Sequence, residues 1–351
     1  MRHRMSAGSG TVLGLAISLV FWAFTSPAVV AQETRRLADD GQLVKQPTYA
    51  PESPEGKIQQ IRKFIAEDNG GDAEDLADDW IDDYPSHPQI DEAYLLRGDA
   101  KMAQRDYYKA LFDYELLIRS YPGSQHFMTA LEREYKVALL YASGVNRPFL
   151  GLPLLPAEGE AEELLVRIQE RAPGSEIGEK ASLSLGDFYY DTAAMYKAVD
   201  AYDLFLQNYP QSQHRRRVMR RLIQASLATF KGPKYDPTGL LDAATRLRAY
   251  RQEYPADAEQ LGADALLVRI DESLALKVFY TAQWYEQKNK QVSAIFVYKR
   301  VVKDHPRTAA AQQAIKRLAE IDPQWKNYVV EGEKKAEKAE EVKNAAEAEK
   351  K

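Results

Sequence analysis

Between Glu67 and Glu92 the chain carries eleven carboxylates and no lysine or arginine. Asp75/Asp79, Asp78/Asp82 and Asp79/Asp83 stand four residues apart, so a helix sets like charges side by side at a cost of about 0.2–0.5 kcal/mol each. Paired carboxylates are the chemistry of glycoside hydrolysis, one serving as acid and the other as base or nucleophile. Asp78 and Asp82 are therefore one candidate pair. The competing readings of the same run are a solvated helix face and an acidic docking surface for a basic partner.

No other constellation of residues assembles a reactive centre. The five histidines, His3, His87, His126, His214 and His305, form no H-x-x-x-H pair. With no cysteine in the sequence, disulfides, thiol catalysis and thiolate zinc sites are excluded. EDNGGD (Glu67 to Asp72) lacks the ordered ligand spacing of a calcium loop. Neither a G-x-x-x-x-G-K-[ST] phosphate loop nor a G-x-S-x-G elbow occurs. The expectation is no catalytic residue, no cofactor and no metal. HRRRVMRR (His214 to Arg221) is opposite in sign, but five arginines spread by about 100° per residue cannot share one helix face. Internal pairing, solvation or an anionic partner are the readings open for it. A net charge of −5 argues against a general nucleic-acid binder, which needs a basic surface.

The elements that would position such residues begin after an N-terminal leader. Arg2, His3 and Arg4 precede the apolar run Val12 to Phe24, and small residues follow up to Ala31. That order reads as a secretory signal peptide over residues 1–31, with the mature chain exported, water-soluble and held at a membrane only through protein contacts. Residues 32–54, which run into QPTYAPESPEG (Gln46 to Gly56), read as an extended, flexible linker. At the other end, residues 326–351 form a charged Lys/Glu/Ala tail, of which Glu331 to Lys351 carries no apolar stripe and is expected to be a solvated helix or disordered and dispensable for folding.

Between these ends one phrase recurs. Prolines at Pro85, Pro122, Pro173, Pro210, Pro255 and Pro306 each follow an alanine by twelve residues: Ala73, Ala110, Ala161, Ala198, Ala243 and Ala294. In three copies Tyr114, Tyr202 and Tyr298 stand four residues after the alanine, and Gly98, Gly186 and Ala282 stand twelve before it. Antiparallel helices approach closely only where small residues meet at the crossing. Proline then ends the second helix and turns the chain, and Ser or Thr shortly after caps the next. One such pair cannot bury its own apolar face, so pairs must stack. The spacing predicts an all-α superhelix of about six helix pairs over residues 55–325, with Ala309 to Glu320 as a closing helix and no strand beyond Lys57.

This pattern resembles the tetratricopeptide repeat, most clearly in the copies ending at Pro122, Pro210 and Pro306. Two copies carry insertions, NRPFLGLPLLP and FKGPKYDPTGL. A narrower resemblance rests on WIDDYPSHPQIDEAYLLRGDAKM (Trp80 to Met102) and AIFVYKRVVKDHPRT (Ala294 to Thr308), which are similar to phrases of the BamD family of outer-membrane β-barrel assembly proteins. The related coordinators of cell division that work with the Tol–Pal system share much of it. The resemblance implies a non-enzymatic periplasmic scaffold that binds other proteins or peptides, among them β-barrel assembly components and unfolded outer-membrane proteins. The alternatives are an adaptor linking wall synthesis or division to the outer membrane and, through Asp78 and Asp82, a wall-active hydrolase. Members of the family are held by a lipidated cysteine, which this sequence lacks.

In a repeat superhelix the first helix of each pair lines the concave side. Aligning on Gly98, Gly186 and Ala282 places Leu95, Asp99 and Met102 on that face in the second unit. Leu183, Asp187 and Tyr190 follow in the fourth, and Phe279, Gln283 and Glu286 in the sixth. Apolar residues beside single polar ones suit an extended peptide, and Asp99 and Asp187 are expected to be replaceable by lysine without loss of stability. Packing of Leu95, Leu183 and Phe279 between repeats is the competing reading.

Overall fold

The recurring alanine-to-proline phrase folds as the second helix of a pair in every copy. In a computed structural model describing residues 35–37, 43–45, 49–149 and 152–348, all six alanines are fully buried. Each proline follows directly on the residue that closes its helix. The expected leader, residues 1–31, lies outside the described residues. The chain divides into two units, Met1–Gly56 and Lys57–Lys351.

In the first unit β1 (Arg35–Leu37) and β2 (Leu43–Lys45) pair antiparallel, with Arg35 opposite Lys45 and Leu37 opposite Leu43. The segment read as an extended linker therefore contains a short strand pair.

The second unit is helical. Helix α1 (Pro54–Ala66) leads into it, and its Ile58 and Ile61 share an apolar cluster with Ala73, Ala77 and Trp80 of α2 (Gly70–Asp83). There follow α3 (Ile90–Ala103) with α4 (Tyr107–Ser120), and α5 (Phe127–Ala142) with α6 (Glu158–Arg171). Next come α7 (Glu176–Asp191) with α8 (Met195–Asn208), and α9 (Arg215–Ala228) with α10 (Thr238–Glu253). A six-residue helix α11 (Pro255–Gln260) precedes the last pair, α12 (Ala263–Gln287) and α13 (Gln291–Asp304). Helices α14 (Ala309–Ile321) and α15 (Trp325–Ala348) close the chain.

Gly98 and Gly186 explain the tyrosines. A Cβ on Gly98 would lie 2.5 Å from Tyr114 Cε1, and one on Gly186 2.5 Å from Tyr202 Cε1. The ring therefore sits on the glycine itself rather than in a gap beside the crossing, and only the absent side chain makes room for it. The expected Ser and Thr caps hold at Ser175, which accepts from the Gly178 amide at 3.1 Å, and at Thr308, which accepts from the Ala311 amide at 3.1 Å. Ser124 and Ser212 act one step earlier, accepting from the amides of His126 and His214, which occupy the cap positions.

Two expectations are corrected. The insertion in the third unit forms an antiparallel hairpin, β3 (Arg147–Phe149) and β4 (Leu152–Leu155), with an irregularity at Arg147/Pro148. Both strands of a two-stranded ladder are edges, so its two prolines are tolerated. The boundary at residue 326 also cuts a helix: α15 starts at Trp325, and its first half is seated on α13. Trp325, Tyr328 and Val329 join the core of the last repeat. A Cβ on Gly332 would lie 2.5 Å from the Val302 carbonyl oxygen, and Lys335 pairs with Asp304 at 2.7 Å. The apolar stripe missing from residues 331–351 is supplied by the turn just before them.

Packing divides along the array. One apolar core runs from Leu95 to Ala225, through the second to fourth units and into α9. Beyond it the core splits within α12: its first half packs with α9, α10 and α11, its second half with α13 and α14. Pro255 opens α11 and Gly262 turns the chain into α12 with φ 70°. This extra turn, found between no other pairs described here, separates the fifth repeat from the sixth.

Candidate functional site

The nine residues expected to line a concave groove are placed mainly in packing roles. Leu95, Leu183 and Phe279 are buried, and Met102 and Tyr190 pack against the same core as the first two. The three acids are engaged in a recurring bridge. Asp99 accepts from Tyr114 Oη at 2.8 Å and pairs with Arg133 of α5 at 2.7 Å. Asp187 accepts from Tyr202 Oη at 2.7 Å and pairs with Arg217 of α9. Glu286 accepts from Tyr298 Oη at 2.9 Å and pairs with Arg317 of α14.

Each bridge joins the two helices of one repeat to the first helix of the following repeat or closing segment. Burial first, then the adjacent carboxylate, pushes the three tyrosine hydroxyls well above their ordinary range, so they stay protonated and able to donate. These contacts count against replacing Asp99 or Asp187 by lysine without loss of stability: the change removes the acceptor of a tyrosine hydroxyl and sets a second cation beside Arg133 or Arg217. The repeat pattern could not show this, because Arg133, Arg217 and Arg317 do not recur at one spacing.

The charged runs resolve differently. Asp78 pairs with Arg97 at 2.7 Å and Asp83 with Lys57 at 3.2 Å, while Asp75, Asp79 and Asp82 are exposed and have no ion-pair partner among the described residues. This is the solvated face of α2. In the arginine run, Arg215 pairs with Glu253 at 2.9 Å and Arg217 with Asp187, and Arg221 lies 4.3 Å from the Tyr190 ring centre. Most of that cluster is spent between helices.

The feature with the shape of a binding site lies where the core splits. A groove of about 740 Å³ runs between α10 and α13 with α12 as its floor. Its apolar wall is Leu241 of α10, Leu274 and Val278 of α12, and Val292 and Phe296 of α13. Val292 and Phe296 are 84% and 63% exposed, well beyond what scattered surface apolar residues require. Lys277 and Arg300 stand among them, as does His305, which is paired with Asp271 at 2.6 Å.

A second cleft of about 540 Å³ continues along α12 and shares Lys277 and Thr281 with the first. It presents Lys234, Tyr280 and Trp284, and it contains Gln283, which the sequence had marked. No aspartate or glutamate lines either cleft. Lys277 donates to the Tyr235 carbonyl oxygen at 2.6 Å; Lys234 and Arg300 have no carboxylate partner among the described residues.

Sequence reasoning missed these residues because it assigned second helices to the outside. The signal was present. Val292 and Phe296 lie one helical turn apart, two residues before and after Ala294, so they face away from the core that the alanine enters.

Stacked helix pairs joined by side-chain bridges, with an open groove beside them, define a tetratricopeptide-type repeat array. A tetratricopeptide-repeat family model matches residues 92–124. The model of the YfiO outer membrane lipoprotein family matches residues 158–340, more than half of the sequence, and the chain belongs to that family.

Among curated relatives, the outer membrane protein assembly factor BamD of Caulobacter vibrioides is 23% identical over 192 residues, 55% of this chain and 61% of that protein. An uncharacterized protein of Treponema pallidum is 35% identical over 79 residues, 22% of this chain and 15% of that one. The chain thus spans less than two thirds of either relative. Among solved structures, a tetratricopeptide repeat protein from Parabacteroides merdae has a TM-score of 0.36 at 13% identity, covering 80% of this chain and 98% of its own. The type IV pilus biogenesis factor PilW has a TM-score of 0.30 at 14% identity, covering 76% and 100%. The family's description includes a lipid, whereas this sequence has no cysteine to carry one by thioether.

Proposed function

We propose that this chain is a non-enzymatic scaffold of the periplasm that binds other proteins and takes part in outer-membrane protein assembly. The observation that carries the reading is the family match over residues 158–340, which contains every helix that forms the groove. Repeat pairs expose long surfaces for partners while their cores stay closed, and the exposed apolar groove has the character of an interaction site. The pairing of Asp78 with Arg97 and the exposure of Asp82 support the solvated-face reading of α2 over a hydrolytic pair.

The test is capture of a tagged chain from envelope extracts, with co-purifying proteins identified by mass spectrometry. Enrichment of β-barrel insertase subunits is expected. Their absence, with cell-wall synthases or division proteins enriched instead, overturns the assembly role in favour of the adaptor.

A further inference from the structure

The groove between the fifth and sixth repeats carries chemistry of its own. The exposed walls Leu241, Val292 and Phe296 would gain by burial about 25 cal/mol per Å² of apolar surface. Around them stand Lys234, Lys277 and Arg300, with no carboxylate in either cleft, in a chain whose net charge is −5. Internal pairing, which satisfies most of the arginine run on α9, is absent at Lys234 and Arg300 among the described residues. A guanidinium and two ammonium groups beside an apolar trough are complementary to carboxylates on whatever fills it.

We propose that this groove binds an acidic peptide segment of a partner protein, with apolar side chains entering between α10 and α13 and flanking Asp or Glu residues meeting Arg300, Lys277 and Lys234. The inference rests on the scaffold reading above and adds the chemistry of the partner. The concavity favours a peptide over a lipid surface. Leu274 and Val278 form the floor of a trough that a flat bilayer cannot enter, whereas side chains from a few successive residues can. Volumes of about 740 and 540 Å³ lie in the range of sites that enclose such groups.

The test uses the full chain and a fluorescein-labelled 12-residue peptide in which pairs of Glu alternate with Leu or Phe. Two control peptides replace Glu by Lys, or Leu and Phe by Ser. Fluorescence anisotropy is expected to show saturable binding of the acidic apolar peptide, weakened at least tenfold in either control. Arg300→Glu and Phe296→Asp, both at exposed positions, should each weaken it at least tenfold with an unchanged far-UV spectrum.

Equal binding of the Lys peptide, or of the Ser peptide, overturns the proposal. So does wild-type affinity in both variants, or no binding of the acidic apolar peptide by the folded chain. Two further arms identify other occupants. Sedimentation with phosphatidylglycerol vesicles that is lost in Arg300→Glu would assign the groove to lipid, and a dimer seen by light scattering and abolished by Phe296→Asp would assign it to a second copy. Failure of peptide binding with capture of insertase subunits intact removes the groove and leaves the scaffold; the reverse removes the assembly role alone.

Discussion

Replacing Asp187 by alanine tests whether the tyrosine–acid–arginine bridge holds successive repeats together. Tyr202 is fully buried and its hydroxyl donates to Asp187 Oδ1 at 2.7 Å. Removing the acceptor leaves that hydroxyl unsatisfied, at about 1–3 kcal/mol. The pair with Arg217 adds little, about 0–1 kcal/mol, because the arginine side chain is half exposed. Asp187→Ala should therefore cost about 2–3 kcal/mol. Tyr202→Phe, which leaves Asp187 its arginine and access to water, should cost about 1 kcal/mol.

The double variant removes both ends of the bond, so it should cost less than the sum, with a coupling of about 1–2 kcal/mol. Urea titrations followed by far-UV circular dichroism at neutral pH measure all four corners of the cycle, provided the slopes agree. Additive single costs, or a cost for Asp187→Ala below about 0.5 kcal/mol, would refute the bridge as a stabilising link and return Asp187 to the set of free groove residues.

Two further outcomes follow from the packing. Burial pushes the Glu134 carboxyl up to about 8, while hydrogen bonds and charge from Arg171 and Arg167 outweigh burial at Glu115 and hold it down near 2. An unfolded Glu134 releases its proton near the ordinary carboxylate value and the folded one only near 8, so its contribution falls as pH rises through that window and is flat above it. Glu134→Gln should remove that decline, which is at most about 1.4 kcal/mol per pH unit, as read from urea midpoints at pH 5.5 and 8.5. Equal pH slopes in both proteins would count against it.

Truncation after Ala336 should leave stability within about 0.5 kcal/mol of the full chain, because the sequence it removes carries no apolar stripe. Gly332→Leu should cost about 1–3 kcal/mol by forcing a side chain against the Val302 carbonyl. An unchanged urea midpoint for Gly332→Leu would mean that α15 does not dock through this turn.

The helix pairs were legible in the sequence because their determinants are local and periodic. A small residue, an aromatic and a proline at fixed spacing decide where a helix crosses its neighbour and where it stops. Gly98, Ala110 and Pro122 therefore announce the second unit without its coordinates, and Gly186, Ala198 and Pro210 do the same for the fourth. Ala282, Ala294 and Pro306 mark the sixth. The strand pair at Arg147–Leu155 escaped because two short apolar stretches become a ladder only when they meet, which periodicity does not record.

Charge was the least legible layer. Asp99 and Asp187 look like free groove acids along the chain, yet their partners stand on the next repeat, 34 and 30 residues away. The aligned position alone cannot distinguish a carboxylate facing solvent from one held by a neighbouring helix. The groove lay further still from sequence reasoning. Its residues come from α10, α12 and α13, and it opens because α11 and the turn at Gly262 divide one core into two. Local sequence determined the helices and their closing turns, since these depend on contacts a few residues apart. Tertiary structure alone decided which side chains were left uncovered, because burial is settled by what the neighbouring repeat brings to the same surface.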